Sequence, residues 1–90
     1  MTPNNETRPL RSYFIAVRGF DFEGVYVRAD SHSQARYLCA AAYVEAGFGT
    51  VLGGLKTIRS VRLCPRADTL ELICPTDSKG LLKTPHDPLP

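Results

Sequence analysis

The stretch RADSHSQAR, residues Arg28–Arg36, places an acid, a histidine and two hydroxyls at the consecutive positions 30–33. These are the residue types of a hydrolase's nucleophile, base and orienting acid. Such a relay needs its side chains to converge, whereas neighbouring residues of a helix point about 100° apart. Ser31, followed three residues later by Gln34, instead matches a capping box. The stretch therefore predicts the start of a helix and no catalytic triad.

The remaining reactive side chains do not form a recognisable site either. The three cysteines, Cys39, Cys64 and Cys74, contain no CxxC spacing, and the second histidine, His86, is distant from the first. This spacing favours neither a disulfide framework nor a metal site. Cys39 is expected to be a small buried apolar residue, and Cys64 and Cys74 are expected to be reduced thiols facing each other across two strands. We predict no enzyme, no metal and no cofactor.

Composition predicts one ordinary globular domain. The chain has 90 residues, 43% hydrophobic and 22% charged, with a net charge of +2. This charge is too small to indicate a dedicated nucleic-acid binder. The first residues lack the pattern of a secretory signal, and no apolar run is long enough to span a bilayer. We therefore expect a cytoplasmic protein, in a host cytoplasm if a phage encodes it, with no membrane association.

The first half of the chain predicts a hairpin and a helix. Ser12–Arg18 and Val25–Ala29 alternate like strands, and the glycine-bounded link 19–24 between them is typical of a turn. The period of the apolar residues then predicts a helix from about Ser31 to Ala46. Gly47 stands where a left-handed helix cap favours glycine.

The second half predicts a loop and a second hairpin. Residues 48–55 carry three glycines and are expected to form a loop, either without regular structure or with one short extended or helical turn. Phe48 is expected to tuck under the helix end. Lys56–Cys64 is strand-like, and its broken alternation predicts a bulge near Ser60. Thr69–Cys74 is expected to be the fourth strand, paired with the strand before it.

The element order β-β-α-β-β predicts an α+β two-layer sandwich, a small antiparallel sheet with one helix packed on one face. The third strand is expected either beside the first strand or at an edge. The predicted domain spans 12–74, between a flexible N-terminus at 1–11 and a proline-rich flexible tail at 75–90. Leu81 and Leu82 of that tail are able to dock on the body.

Basic and aromatic residues predict a binding surface on the sheet face away from the helix. Phe14 lies on the same outward rows as two of the arginines. The predicted partner-binding residues are Arg18, Tyr26, Arg28, Arg36, Lys56, Arg59 and Arg62. This composition suits an acidic protein surface or a single-stranded nucleic acid, or it is an ordinary solvated face. The acidic residues of the hairpin turn favour protein over phosphate. A homodimer formed through exposed sheet edges, or a subunit of a larger assembly, is a further prediction.

The pattern from Ala29 to Arg62 resembles small accessory proteins of phages and mobile elements. In these proteins a strand ends in A-x-S, x-x-A-R opens a helix, and a later strand carries I-R-S-V-R. Here the matching segments are 29–31, 35–36 and 58–62, within a resemblance that covers about residues 12–63. It implies an anti-defence inhibitor, such as an anti-CRISPR protein, which covers a surface of a host protein or ribonucleoprotein complex without chemistry. It implies no functional residue by position.

Overall fold

The computed structural model of the chain describes residues 9–73 and 78–84. Within them, one α-helix packs on a face of a four-stranded antiparallel sheet and a second, shorter α-helix packs against the first, which confirms the predicted α+β class. The elements are β1 (Arg11–Val17), β2 (Gly24–Ala29), α1 (His32–Glu45), α2 (Val51–Thr57), β3 (Ile58–Leu63), a 3-10 helix (Pro65–Thr69) and β4 (Gly80–Leu81).

The hairpin of β1 and β2 forms the centre of the sheet and supplies most of the core. Tyr13 pairs with Val27 and Ile15 with Val25, so these side chains lie on the same face. Tyr13, Ile15 and Val27 are 3%, 0% and 0% exposed. The predicted alternation is confirmed, because every second residue of each strand contacts the helical layer.

Helix α1 begins and ends where the sequence predicts. The Ser31 hydroxyl accepts from the Gln34 backbone N–H at 3.1 Å, and the Gln34 side chain accepts from the Asp30 N–H at 2.8 Å. The first bond satisfies a donor that the first helical turn leaves unpaired, and the second fixes the backbone just before the cap. The helix stops at Ala46, and Gly47 follows with φ 85°. A side chain in that left-handed conformation would be strained, which explains the glycine.

Helix α2 replaces the loop predicted over residues 48–55. The Thr50 hydroxyl accepts from the Gly53 N–H at 3.1 Å and caps this seven-residue helix. Gly54 is buried, and a Cβ built there would lie 3.0 Å from the Cα of Ala40. The sequence predicts at most one helical turn here because glycine weakens helices in general. The helix is longer than that turn because Gly54 permits close contact between α1 and α2.

Strand β3 lies at one edge of the sheet, in the order β3-β1-β2-β4, so it is both a neighbour of β1 and an edge strand. Its register shifts between Ser60, opposite Ala16, and Ile58, opposite Val17. Arg59 is the extra residue, and the bulge predicted near Ser60 is confirmed.

The fourth strand predicted at Thr69–Cys74 is wrong for the described part of that segment. The 3-10 helix occupies its start, and Leu72 forms a single bridge with Leu82. Strand β4 pairs with β2 instead. A β2 arginine donates to the Leu70 carbonyl within the segment and to the Asp68 carbonyl just before it, which holds this part of the chain across the sheet rather than beside β3.

The structure also describes the residues near both ends of the predicted domain. Arg11 belongs to β1 and Gly80–Leu81 forms β4. The sheet therefore includes residues on both sides of the predicted domain 12–74. Leu82 is 3% exposed, which confirms that the leucines after Gly80 dock on the body. Cys74 and its predicted pairing with Cys64 lie outside the described residues.

Candidate binding surfaces

The sheet face opposite α1, here called the open face, brings Phe14, Tyr26 and Arg62 together. Phe14 on β1 pairs with Tyr26 on β2 and with Arg62 on β3, and directly opposed side chains share a face. The Phe14 and Tyr26 ring centroids lie 5.1 Å apart. The guanidinium carbon of Arg62 lies 5.7 Å from the Phe14 centroid, within the range of a cation–π contact.

These three side chains line a shallow cavity of about 420 Å³, here called the open-face cavity. Its remaining wall comes from the hairpin loop and from the chain around the start of the 3-10 helix. The other lining residues are Glu23, Leu63, Cys64, Pro65 and Arg66. The cavity therefore combines aromatic rings with charges of both signs.

Of the predicted partner-binding residues, Tyr26 and Arg62 are brought together in this cavity. Arg28 has a structural role instead. Its guanidinium donates to the backbone carbonyls of Asp68 at 3.0 Å and Leu70 at 2.9 Å. These bonds hold the 3-10 helix, the start of which forms part of the wall of the open-face cavity. Arg28 therefore supports this cavity and does not line it.

The other predicted residues lie away from the cavity. Arg36 is exposed on α1, in the opposite layer. Arg18 donates its backbone N–H to the Thr57 carbonyl at 2.9 Å, which places it beside the end of α2 that carries Lys56. Arg59 is exposed at the bulge two residues further on. The predicted residues therefore do not form one surface. Two line the open-face cavity, one holds the 3-10 helix, three lie near the end of α2, and one lies on α1.

Part of the open face is covered, which sequence analysis did not predict. Ser12 is 1% exposed, and its hydroxyl donates to the Asp68 carboxylate at 2.5 Å. Together with the Arg28 bonds, this contact holds the 3-10 helix over one end of β1 and β2. The accessible part of the open face is consequently restricted to the end that carries the cavity.

A second surface lies at the end of the sheet where β1 turns into β2. Phe20 is surrounded by three rings, with centroids at 5.0 Å (Phe22), 5.4 Å (Phe48) and 6.4 Å (Tyr43). These four residues are here called the aromatic cluster. Phe48 contacts Tyr43 at 5.6 Å, yet it is 59% exposed, so it lies against the helix end without being buried there.

The aromatic cluster borders a cavity of about 150 Å³, here called the aromatic cavity. The other lining residues are Val17, Val25, Cys39, Ala42, Ala46, Thr57 and Leu81. Cys39 is buried as predicted, and burial raises the pKa of its thiol. Sequence analysis missed this cavity because Phe20 and Phe22 stand in a segment whose glycines and acids indicate a turn.

The side chains of the acid and the histidine in the opening stretch have partners outside that stretch. Asp30 pairs with Lys79 at 3.3 Å, and the His32 ring contacts the Tyr13 ring at 4.8 Å. Among the described residues, no three His, Cys, Asp or Glu side chains lie close enough together to hold a metal ion. Neither described helix has the length and apolar character that crossing a membrane requires.

Comparisons of this chain with protein-family models, with curated proteins and with solved structures found no match.

Proposed function

We propose that this protein is a protein-binding module without catalytic activity, and that it docks on a partner through the open-face cavity. The observation that carries the proposal is the contact of Phe14, Tyr26 and Arg62 on an accessible part of the sheet, beside Glu23. Tyrosine and arginine are enriched among the residues that contribute most to protein interfaces.

The side chains of the cavity are held in place before binding. Phe14 and Tyr26 extend from paired strands at the centre of the sheet, and each is half-buried against the other. Rigid rings lose little conformational entropy on binding, so more of their contact energy remains as affinity. Arg62 is aligned over the Phe14 ring, which favours a fixed geometry for a partner carboxylate.

The charges favour a protein over a nucleic acid. Glu23 shares the cavity wall with Arg62 and Arg66, so the lining includes one carboxylate and two guanidinium groups. A phosphate backbone would meet the carboxylate unfavourably, whereas a peptide carries both signs of charge. A segment with an acidic residue for Arg62 and a donor for Glu23 fits this arrangement.

The partner class that we propose is a host protein or ribonucleoprotein complex, bound by a phage or mobile-element protein that inhibits nucleic-acid-targeting defence. The resemblance in the segment from strand β2 to strand β3 supports this assignment. An inhibitor that acts by covering a surface needs a preformed docking site and no reactive group.

Photo-crosslinking from inside the cavity tests the proposed docking surface. Tyr26 is replaced by p-benzoylphenylalanine in cells that carry the gene, and adducts are resolved by mass. We expect one adduct of defined mass, and we expect Arg62→Glu to remove it because the guanidinium is reversed in charge.

Tyr37 supplies the matched control, since it is 58% exposed on α1 in the opposite layer. The same photoreactive residue at position 37 should give no such adduct, and Arg36→Glu should leave the adduct from position 26 intact. Crosslinking from position 37 alone, or an adduct from 26 that survives Arg62→Glu, would contradict docking through the open-face cavity.

A single-stranded nucleic acid is the second candidate. The two rings 5.1 Å apart beside Arg62 would allow base stacking with a nearby phosphate contact. Fluorescence anisotropy with a labelled oligothymidylate decides between the two. Binding that weakens steeply with salt and is lost in Phe14→Ala would favour nucleic acid, and no change in anisotropy at low salt would exclude it.

A further inference from the structure

The aromatic cavity has the size of a site for a single ring. Its volume is about 150 Å³. An enclosed apolar cavity of roughly 150 Å³ takes up a benzene-sized molecule. The aromatic cavity has that volume but is open to solvent on one side. Sites for drug-sized ligands are larger, about 300–1,000 Å³. The volume therefore matches one ring or one compact alkyl group.

The chemistry of the wall limits the occupant to an uncharged group. None of the described residues that line the cavity is an acid, a lysine, an arginine or a histidine. Cys39 contributes a thiol that is 9% exposed, and because burial raises its pKa, the thiol stays protonated at neutral pH. An ionised ligand would lose its hydration here without gaining a charged partner, since the polar groups of the described wall are the Tyr43 and Thr57 hydroxyls and the Cys39 thiol.

The aromatic cavity exists because small residues of α1 face it, and rings from two loops surround its opening. Ala42 and Ala46 lie one turn apart, and both line the cavity. Phe22 lies in the link between β1 and β2, and Phe48 lies in the link between α1 and α2. Their side chains remain 46% and 59% exposed. Exposed aromatic groups around an apolar cavity are typical of a binding site rather than of a finished core.

We propose that the aromatic cavity binds the uncharged, ring-sized apolar group of a free small molecule, of the size of benzene or toluene. This site is separate from the open-face cavity, since the two share no lining residue. A ring bound there would contact Phe20 and Tyr43, which already make edge-to-face contacts with each other at an interplanar angle of 89°.

A titration followed by amide NMR shifts tests the proposal, with toluene as the probe. We expect saturable shifts centred on Val17, Cys39 and Ala42. Benzoate, a ring of similar size with a charge, should give no saturable shift at the same positions. A capped phenylalanine amide that binds more tightly than toluene would assign the cavity to a partner's side chain and would overturn the proposal.

Filling the cavity provides the matched variants. Ala42→Leu should weaken toluene binding at least tenfold, because the added side chain occupies the same space. Ala41→Leu is the control, since Ala41 lines only the neighbouring cavity with Leu72 and Ile73, whereas Ala42 lines both cavities. A loss of toluene binding that came from filling the neighbouring cavity would therefore appear in Ala41→Leu as well. Ala46→Leu, at the exposed helix end, fills the site from its mouth if Ala42→Leu does not fold.

Toluene affinity that is equal in the wild type, Ala42→Leu and Ala46→Leu would overturn the proposal. Shifts centred on Leu72 and Ile73, or shifts that stay linear up to the solubility limit of toluene, would overturn it as well. Each of these results is independent of crosslinking from position 26, so failure here leaves the proposed docking surface unaffected.

Discussion

The open-face cavity and the aromatic cavity are both built around phenylalanine rings, but different parts of the fold create them. Phe14, Tyr26 and Arg62 are neighbours because three strands pair in register. Phe20 and Phe48 meet because a hairpin link and a helix end place them at the same end of the sheet. Strand pairing brought a charged residue beside the rings, whereas the helix contributed alanines and a buried thiol.

This difference in origin predicts a difference in what each surface recognises. The open-face cavity is wide, shallow and carries both signs of charge, so it suits a polypeptide with matching groups. The aromatic cavity has about a third of the volume, 150 against 420 Å³, and its described lining residues are uncharged. Substitutions that affect one surface and spare the other would therefore establish that they are separate sites.

Gly24→Ala should have the largest effect, because Gly24 lies where the two regions join. A Cβ at this position would overlap the carbonyl oxygen of Ile15 and lie 2.7 Å from Cζ of Phe14. We expect a loss of about 3 kcal/mol in the free energy of unfolding, as for an overpacked site. Urea unfolding followed by circular dichroism measures it.

Gly19→Ala is the control for that substitution. Gly19 has φ 87°, and a Cβ there would meet no heavy atom within 4 Å. Only the left-handed backbone conformation would be penalised, by about 1 kcal/mol. Equal losses in the two variants would show that the contact with Ile15 and Phe14 is not limiting.

Phe20→Leu and Phe14→Leu compare the two regions by the same change. Phe20 loses contacts with three rings, whereas Phe14 loses one ring contact and one cation–π contact. At roughly 0.5–1 kcal/mol for each contact, we expect losses of about 2 and about 1 kcal/mol. Thermal and urea unfolding measure both variants, and a larger loss at Phe14 would reverse the ranking.

Arg28→Met should affect the open-face cavity and spare the aromatic cavity. The substitution removes the two hydrogen bonds that the Arg28 guanidinium donates, one of which is exposed to solvent. We expect the free energy of unfolding to fall by about 1.5 kcal/mol. Limited proteolysis should then cut within residues 65–73. Toluene binding should remain unchanged, and Arg36→Met, on exposed helix surface, should change stability by less than about 0.5 kcal/mol.

The smallest effect should come from the Cys39 thiol at alkaline pH. Burial raises its pKa above the ordinary value of 9.0, so the unfolded chain loses this proton at lower pH than the folded chain. The stabilisation that the protonated thiol contributes is present below pH 9.0 and declines as the pH rises through the folded pKa. Urea unfolding at a series of alkaline pH values measures the decline.

Cys39→Ala should flatten that alkaline decline, and Cys64→Ala should leave it as in the wild type. A decline that persists in Cys39→Ala would assign it to another group. The alkaline decline therefore reports on the aromatic cavity and not on the open-face cavity, since Cys39 lines the first and Cys64 lines the second.

The first half of the fold could be predicted because local pattern and tertiary contact agree there. The alternation of Tyr13, Ile15 and Val17 needs only one buried face to make a strand. Ser31 and Gln34 cap their helix with bonds to neighbours in sequence. Such local rules hold whatever the rest of the chain does.

The second half depends on contacts between residues far apart in sequence. Gly54 favours a helix only because Ala40 and Tyr43 lie against it. Leu70 and Leu72 alternate like a strand, but Arg28 binds the chain at Leu70 and changes its path. No local propensity reports either contact, so the sequence predicts at most one helical turn in the first segment and a strand in the second.

The candidate site was predicted only in part for the same reason. Period-two alternation placed Tyr26 and Arg62 on one face, and the register brings them to the same cavity. It also placed Arg28 there, because alternation gives the face but not the partner of a side chain. Phe20 and Phe22 had no periodic signal, and the loop that carries them determines their position.

The two edges of the sheet have a consequence for how the chain behaves at high concentration. The backbone of β3 is flanked by exposed guanidinium groups at Arg59 and Arg62 and is interrupted by a bulge. At the opposite edge, β4 is only two residues long. Fibrillar growth needs a long, flat and uncharged edge that an identical chain can extend. Neither edge offers one, so the same arginines that look like binding residues also protect the folded domain from aggregation.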